Sequence, residues 1–144
     1  MRIPNIKIKF FLTGVAGKYV DLDKITSSLN IKPDSARTLE DWPDAIKNPK
    51  TPLPIELQSR YVWSFYIDYV ESMSVNEQLE KLENSLSDKI GIINELQKEF
   101  SLTVTVEVVI QADSDNRPEM FLTNDIITFL SALNAELGFD MYID

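Results

Sequence analysis

Residues Arg60–Val70 read RYVWSFYIDYV, and the alternation in this run decides the fold. Successive residues of a strand point to opposite faces, so Tyr61, Trp63, Phe65, Ile67 and Tyr69 line up on one side. The other side carries Val62, Ser64, Tyr66, Asp68 and Val70, a more mixed set. We expect a strand at the middle of a sheet, with its odd face at the centre of the core. Its even face, with Tyr66 and Asp68, is where any function carried by the sheet has to lie.

Working outward, the same alternation recurs. In residues 5–13, Ile6, Ile8, Phe10 and Leu12 face one way and Lys7, Lys9 and Thr13 the other, with Phe11 the exception. Residues 102–112 place Leu102, Val104, Val106, Val108 and Ile110 inward and Thr103, Thr105, Glu107 and Gln111 outward, with Val109 the exception. A last strand, 139–144, is expected to turn Phe139, Met141 and Ile143 inward. A short hairpin strand is expected over Glu119–Leu122, after a turn at Asp113–Asn116.

Helices are marked by caps and apolar stripes. Asp21 is a good N-cap and Leu22, Ile25 and Leu29 share a face, with Asn30 placed to close the helix in the left-handed conformation. Ser74 and Glu77 form a capping box ahead of the stripe Val75, Leu79, Leu82 and Leu86. Ile90, Ile93 and Leu96 continue an apolar face, so residues 75–99 are read as two helices or one kinked helix. A final helix over 124–137 buries Ile127, Leu130, Leu133 and Leu137 and ends at Gly138. Each strand has one apolar face, which points to a sheet covered on one side only. The fold class is α+β: a two-layer sandwich, mostly antiparallel, in the order β-α-β-α-β-β-α-β.

The 144 residues suit one domain, 1–144, which buries roughly 68–70% of its unfolded surface. Within it, residues 31–59 form a long connection holding five of the seven prolines, and connections of this length are often functional. This connection carries Arg37 and Trp42. There is no cysteine and no histidine, which excludes disulfides, thiolate metal sites and a Cys or His catalytic group. We expect no metal and no cofactor. A calcium loop starting at Asp113 fails at Arg117, and Gly14 and Gly17 lack the rest of a phosphate loop. The amino end has no signal-peptide pattern, and no stretch approaches the roughly 20 apolar residues of a membrane helix. The expectation is a soluble cytoplasmic protein that contacts no membrane.

Net charge is −9 and is uneven. Residues 1–70 hold ten Lys/Arg and eight Asp/Glu, a balance of +2, whereas residues 71–144 hold four and fifteen, a balance of −11. Such a chain repels phosphate backbones, which argues against nucleic acid; plain solubility explains the acidity first, and a basic protein partner is the other explanation.

The order of elements resembles a known family. An apolar strand leads to Leu22-Asp23-Lys24-Ile25 and Leu29-Asn30-Ile31-Lys32-Pro33. A long loop, the Trp63 strand and a Leu-rich helical pair follow, and the end reads Leu122-Thr123, a helix, then Leu137-Gly138-Phe139-Asp140-Met141-Tyr142. This resembles the bacterial family of unknown function called DUF4279, from about residue 6 to 143. Members of that family often have a glycine in the loop after the Pro33-like position, and residues 34–59 contain none. The resemblance implies a compact α+β domain and supplies no catalytic residue. Small bacterial domains of this kind are also associated with toxin and immunity gene neighbourhoods.

The functional reading is a non-enzymatic, protein-binding module that uses the open sheet face and the proline-rich loop, with Arg37, Trp42, Tyr66, Asp68, Asp140 and Tyr142 as contacts. An immunity-type protein that masks a basic toxin is one concrete form. The alternatives are a small hydrolase or lyase that uses carboxylates alone, Asp140 and Asp144 with Asp68, and a structural self-associating domain. Homo-oligomerisation is compatible with all three.

Overall fold

The computed structural model describes residues 2–38, 41, 54 and 60–144. Trp42, and a helical turn expected at Asp44–Lys47, lie outside the described residues.

Strand β1 (Asn5–Thr13) is the middle of a five-stranded sheet. Its residues Ile6, Ile8, Phe10 and Leu12 are all buried. The sheet runs β2 (Ser35–Arg37), β3 (Val62–Glu71), β1, β4 (Thr103–Ala112), β5 (Ala135–Ile143). The Trp63 strand, β3, is therefore not the middle strand. It lies next to an edge, because β2 is three residues long and pairs only with Val62–Ser64. Aromatic side chains suit a half-covered strand as well as a central one, so aromatic content did not fix its place. The core position of Trp63 holds: it is fully buried, opposite Leu12 and edge-on to Phe10 with ring centroids 6.3 Å apart.

The alternation along β3 breaks at a bulge. Ile8 pairs with Ile67, but Ile6 pairs with Val70, so β3 spends one more residue than β1 over this interval. An extra residue reverses the facing of all that follows. Tyr69, expected in the core with Trp63, therefore lies on the opposite face and is 38% exposed.

Among the described residues, four helices line the other side. Helix α1 (Leu22–Leu29) is capped by Asp21, which accepts from the Lys24 N–H at 3.1 Å, and is closed by Asn30 at φ 54°. Helix α2 (Val75–Leu86) starts at Ser74, whose hydroxyl accepts from the Glu77 N–H at 3.1 Å. Its stripe Val75, Leu79, Leu82 and Leu86 is fully buried. A separate helix α3 (Ile90–Phe100) follows, burying Ile93 and Leu96. Helix α4 (Asn124–Ala132) buries Ile126, Phe129 and Leu130. Asn76 ties two helix starts together, because its Oδ1 accepts from the Thr123 N–H at 2.9 Å and Thr123 caps α4.

The carboxyl-terminal third differs from expectation in four ways. Helix α4 ends at Ala132, since Asn134 takes the left-handed conformation at φ 54° and turns the chain into β5. Leu137 and Gly138 are thus strand residues. Ile127 is 52% exposed, because the buried stripe starts one residue earlier, at Ile126. Glu119–Leu122 forms no hairpin strand; Glu119 makes a single parallel bridge to Ser74. Phe139 and Met141 do sit on the helix side, level with Val108 and Ile110, but are 43% and 42% exposed because β5 is the margin of the sheet.

The fold is α+β, a sheet with helices on one face, and among the described residues the order is β-α-β-β-α-α-β-α-β. The sheet is mostly antiparallel. Its one parallel pair is β4 with β5, joined through α4 in a β-α-β unit. No helix among the described residues is long and apolar enough to cross a membrane.

Candidate functional site: the open face of the sheet

The face away from the helices is built from alternate residues of the five strands, with Ser35 and Arg37 of β2 placed on it by their register opposite Ser64 and Val62. β1 supplies Lys7, Lys9 and Phe11; β3 supplies Tyr66 and Tyr69; β4 supplies Thr105, Glu107, Val109 and Gln111; β5 supplies Glu136, Asp140 and Tyr142. Val109 is buried although it lies on this face, because Lys7 and Asp140 flank it on the neighbouring strands. The half-buried and exposed chains around it thus form a layer rather than isolated groups.

On the β3 side this layer is aromatic and cationic. The Lys7 ammonium lies 4.6 Å from the Tyr66 ring centre and 5.5 Å from that of Tyr69. The Lys9 ammonium is 5.7 Å from Tyr66, and Phe11 meets Tyr66 edge-on at 6.2 Å. An ammonium over an aromatic face is attracted by the ring quadrupole, by about 0.5–1 kcal/mol at an exposed site. On the β5 side the layer is acidic, with Glu107, Glu136 and Asp140. Gln111 joins the two halves, donating from Nε2 to the Tyr69 hydroxyl at 3.2 Å. The Tyr142 hydroxyl donates to Asp140 Oδ2 at 3.0 Å. That bond and the negative charge of Asp140 raise the Tyr142 phenol above its ordinary value.

The structure brings some of the predicted residues together and separates others. Tyr66, Asp140 and Tyr142 share the open face. Two strands lie between Tyr66 and the β5 pair: Tyr66 is level with Gly138 through Lys9 and Glu107. Tyr142 is then about 14 Å across the sheet and about 13 Å along it from Tyr66. Asp68 lies in the bulge, where its Oδ1 accepts from the Tyr69 N–H at 2.7 Å. Arg37, opposite Val62, lies on the same open face but at its far edge, exposed on β2. Asp140 and Asp144 have separate partners, the Tyr142 hydroxyl and Arg2 at 3.2 Å, and do not form a carboxylate pair.

Lys7, Tyr69 and Gln111 were missed as site residues. An aspartate inside a strand, able to bond the next backbone N–H, was the available sign that the alternation fails at Asp68. A second concavity, also missed, is a cleft of about 400 Å³ lined by Tyr19, Asp21, Asp23, Ala36, Thr38 and Tyr61, with Tyr19 edge-on to Tyr61 at 5.6 Å. Among the described residues no group of His, Cys, Asp or Glu is arranged to hold a metal ion.

Fold and face together define a small α+β protein with helices on one side of its sheet and a layered aromatic and charged surface on the other. The sequence profile described as Domain of unknown function (DUF4279) matches residues 6–144, and the chain belongs to that family. No curated protein and no solved structure matches it.

Proposed function

We propose that this chain is a non-enzymatic protein-binding module that holds a basic protein partner against the open face of its sheet. The observation that carries this reading is the open face itself, which no helix or strand among the described residues covers. It presents Tyr66, Tyr69 and Tyr142, with Glu107, Glu136 and Asp140 gathered toward β5. Tyrosine suits an interface because it offers a rigid apolar body with a polar end. The acidic side of the face and the net charge of −9 favour a basic partner through faster, steered encounter. An immunity-type protein that masks a basic toxin is one concrete form of this function.

The test is titration of the purified product of the adjacent gene, if basic, into wild type, Tyr66→Ala and Tyr142→Ala. Removing an anchor tyrosine should weaken binding by at least about 2 kcal/mol, some thirtyfold. Unchanged affinity in both variants, with the fold intact, refutes the use of this face. The alternative of a carboxylate-dependent hydrolase or lyase rests only on Asp140, Asp144 and Asp68. It requires turnover that is lost on Asp140→Asn.

A further inference from the structure

The two edges of the sheet are finished differently. On the β3 side, β2 covers only the first three residues. Beyond it the edge is blunted by side chains: Asp34 Oδ2 accepts from the Tyr66 N–H at 2.7 Å and Asp68 Oδ1 accepts from the Tyr69 N–H. The bulge then twists the rest of that edge away. The β5 edge has no such device. The Asp144 N–H bonds Ala112 O at 3.0 Å and the Asp144 carbonyl accepts from Ser114, so even-numbered positions turn their backbone groups toward β4. Backbone groups alternate sides along a strand, so Leu137, Phe139, Met141 and Ile143 turn theirs outward. Among the described residues none of these four has a backbone partner on that side. The strand is nine residues long, a full-length open template.

The side chains along this edge state what fits it. Toward the helices stand Phe139 and Met141, both well exposed for residues of their kind. Toward the open face stand Glu136 and Asp140, and β5 has no Lys or Arg.

We propose that β5 takes up an extended segment of a basic partner as a sixth strand, one in which lysine or arginine alternates with apolar residues. The added backbone satisfies the four outward N–H and C=O pairs, the apolar side chains meet Phe139 and Met141, and the cations meet Glu136 and Asp140. Charge is what decides against a second copy of this chain. Two paired β5 strands bring Glu136 and Asp140 of both copies to one seam with no cation on either strand, between bodies that each carry −9. The inference rests on the protein-binding reading above and gives it a backbone mode.

The test uses the whole chain and a synthetic peptide as long as β5 that alternates lysine with valine. A peptide of the same composition, with its lysines and valines in blocks, is the control. Hydrogen exchange read by NMR should show protection gained at the Leu137, Phe139, Met141 and Ile143 amides. The alternating peptide should bind at least about tenfold tighter than the blocked one and weaken with added salt. Met141→Pro removes one outward donor without touching the β4 ladder, and should abolish this protection while the far-UV spectrum is retained. Glu136→Lys with Asp140→Lys should reverse the preference, toward a peptide alternating glutamate with valine. The proposal is overturned if these four amides stay unprotected, if the two peptides bind alike, or if the charge-reversed chain keeps its preference for lysine. It is also overturned if the free chain sediments as a dimer with these amides already protected, since the occupant is then a second copy. A natural basic partner that binds through Tyr66 while the β5 amides stay unprotected overturns the edge proposal and leaves the protein-binding reading standing.

Discussion

Replacing Trp63 with alanine tests the core assignment. Trp63 is fully buried on β3, between Leu12 on β1 and Ala36 on β2, with Phe10 edge-on. Its Nε1–H donates to the Thr26 hydroxyl on α1 at 3.0 Å, so the indole also pins the first helix to the sheet. Truncation removes the largest side chain of the core and leaves a cavity beneath α1, at a cost of about 3–5 kcal/mol. Thr26 is not orphaned, because its hydroxyl also donates to the Leu22 carbonyl at 3.3 Å. At about 3 °C per kcal/mol for a chain of this size, Tm should fall by about 9–15 °C. The assay is urea unfolding followed by far-UV circular dichroism, with Trp63→Phe beside it. The phenylalanine variant keeps most of the packing and should recover more than half of the loss. A loss below about 1 kcal/mol in Trp63→Ala would refute the burial of this face.

Three further outcomes are expected. Asn134→Ala should destabilise by about 1–2 kcal/mol, because alanine resists the left-handed conformation that starts β5, whereas Asn134→Gly should be close to neutral. Ser74→Ala should cost about 1 kcal/mol in urea melts by uncapping α2. In Asp140→Asn the Tyr142 phenol should titrate at lower pH than in wild type, read by phenolate absorbance. Its folded-state value is raised, so the stabilisation from the Asp140 bond is fully present below the unfolded tyrosine value and is lost as pH rises through the folded one. An unmoved titration would show that Asp140 is not the cause.

Much of this architecture is legible in the residues, and its failures have physical causes. The alternation of Ile6, Ile8, Phe10 and Leu12, and that of Val104 to Ile110, identifies two strands because one side of each meets the helices and the other does not. Caps at Asp21 and Ser74 were readable because a short side chain ahead of an apolar stripe has one use there. Strand order was not readable, since pairing is decided between distant segments. The short strand β2 carries no pattern of its own at three residues. The end of α4 was misplaced because Asn134, rather than Gly138, takes the positive φ.

The candidate site was partly legible. Tyr66, Asp140 and Tyr142 were assigned to the open face from their parity alone, and parity holds where no bulge intervenes. Tyr69 was lost to the bulge at Asp68, and with it the Lys7–Tyr66–Tyr69 group and the Gln111 link. The free β5 edge is invisible in sequence, because it depends on which strand is outermost.

The most direct measurement of the proposed binding is an NMR map of the chain titrated with the basic product of the adjacent gene. The account predicts that perturbed signals concentrate on Tyr66, Tyr69, Gln111, Asp140 and Tyr142. A map confined to the outer surfaces of α2 and α3, with these residues unmoved, would contradict it.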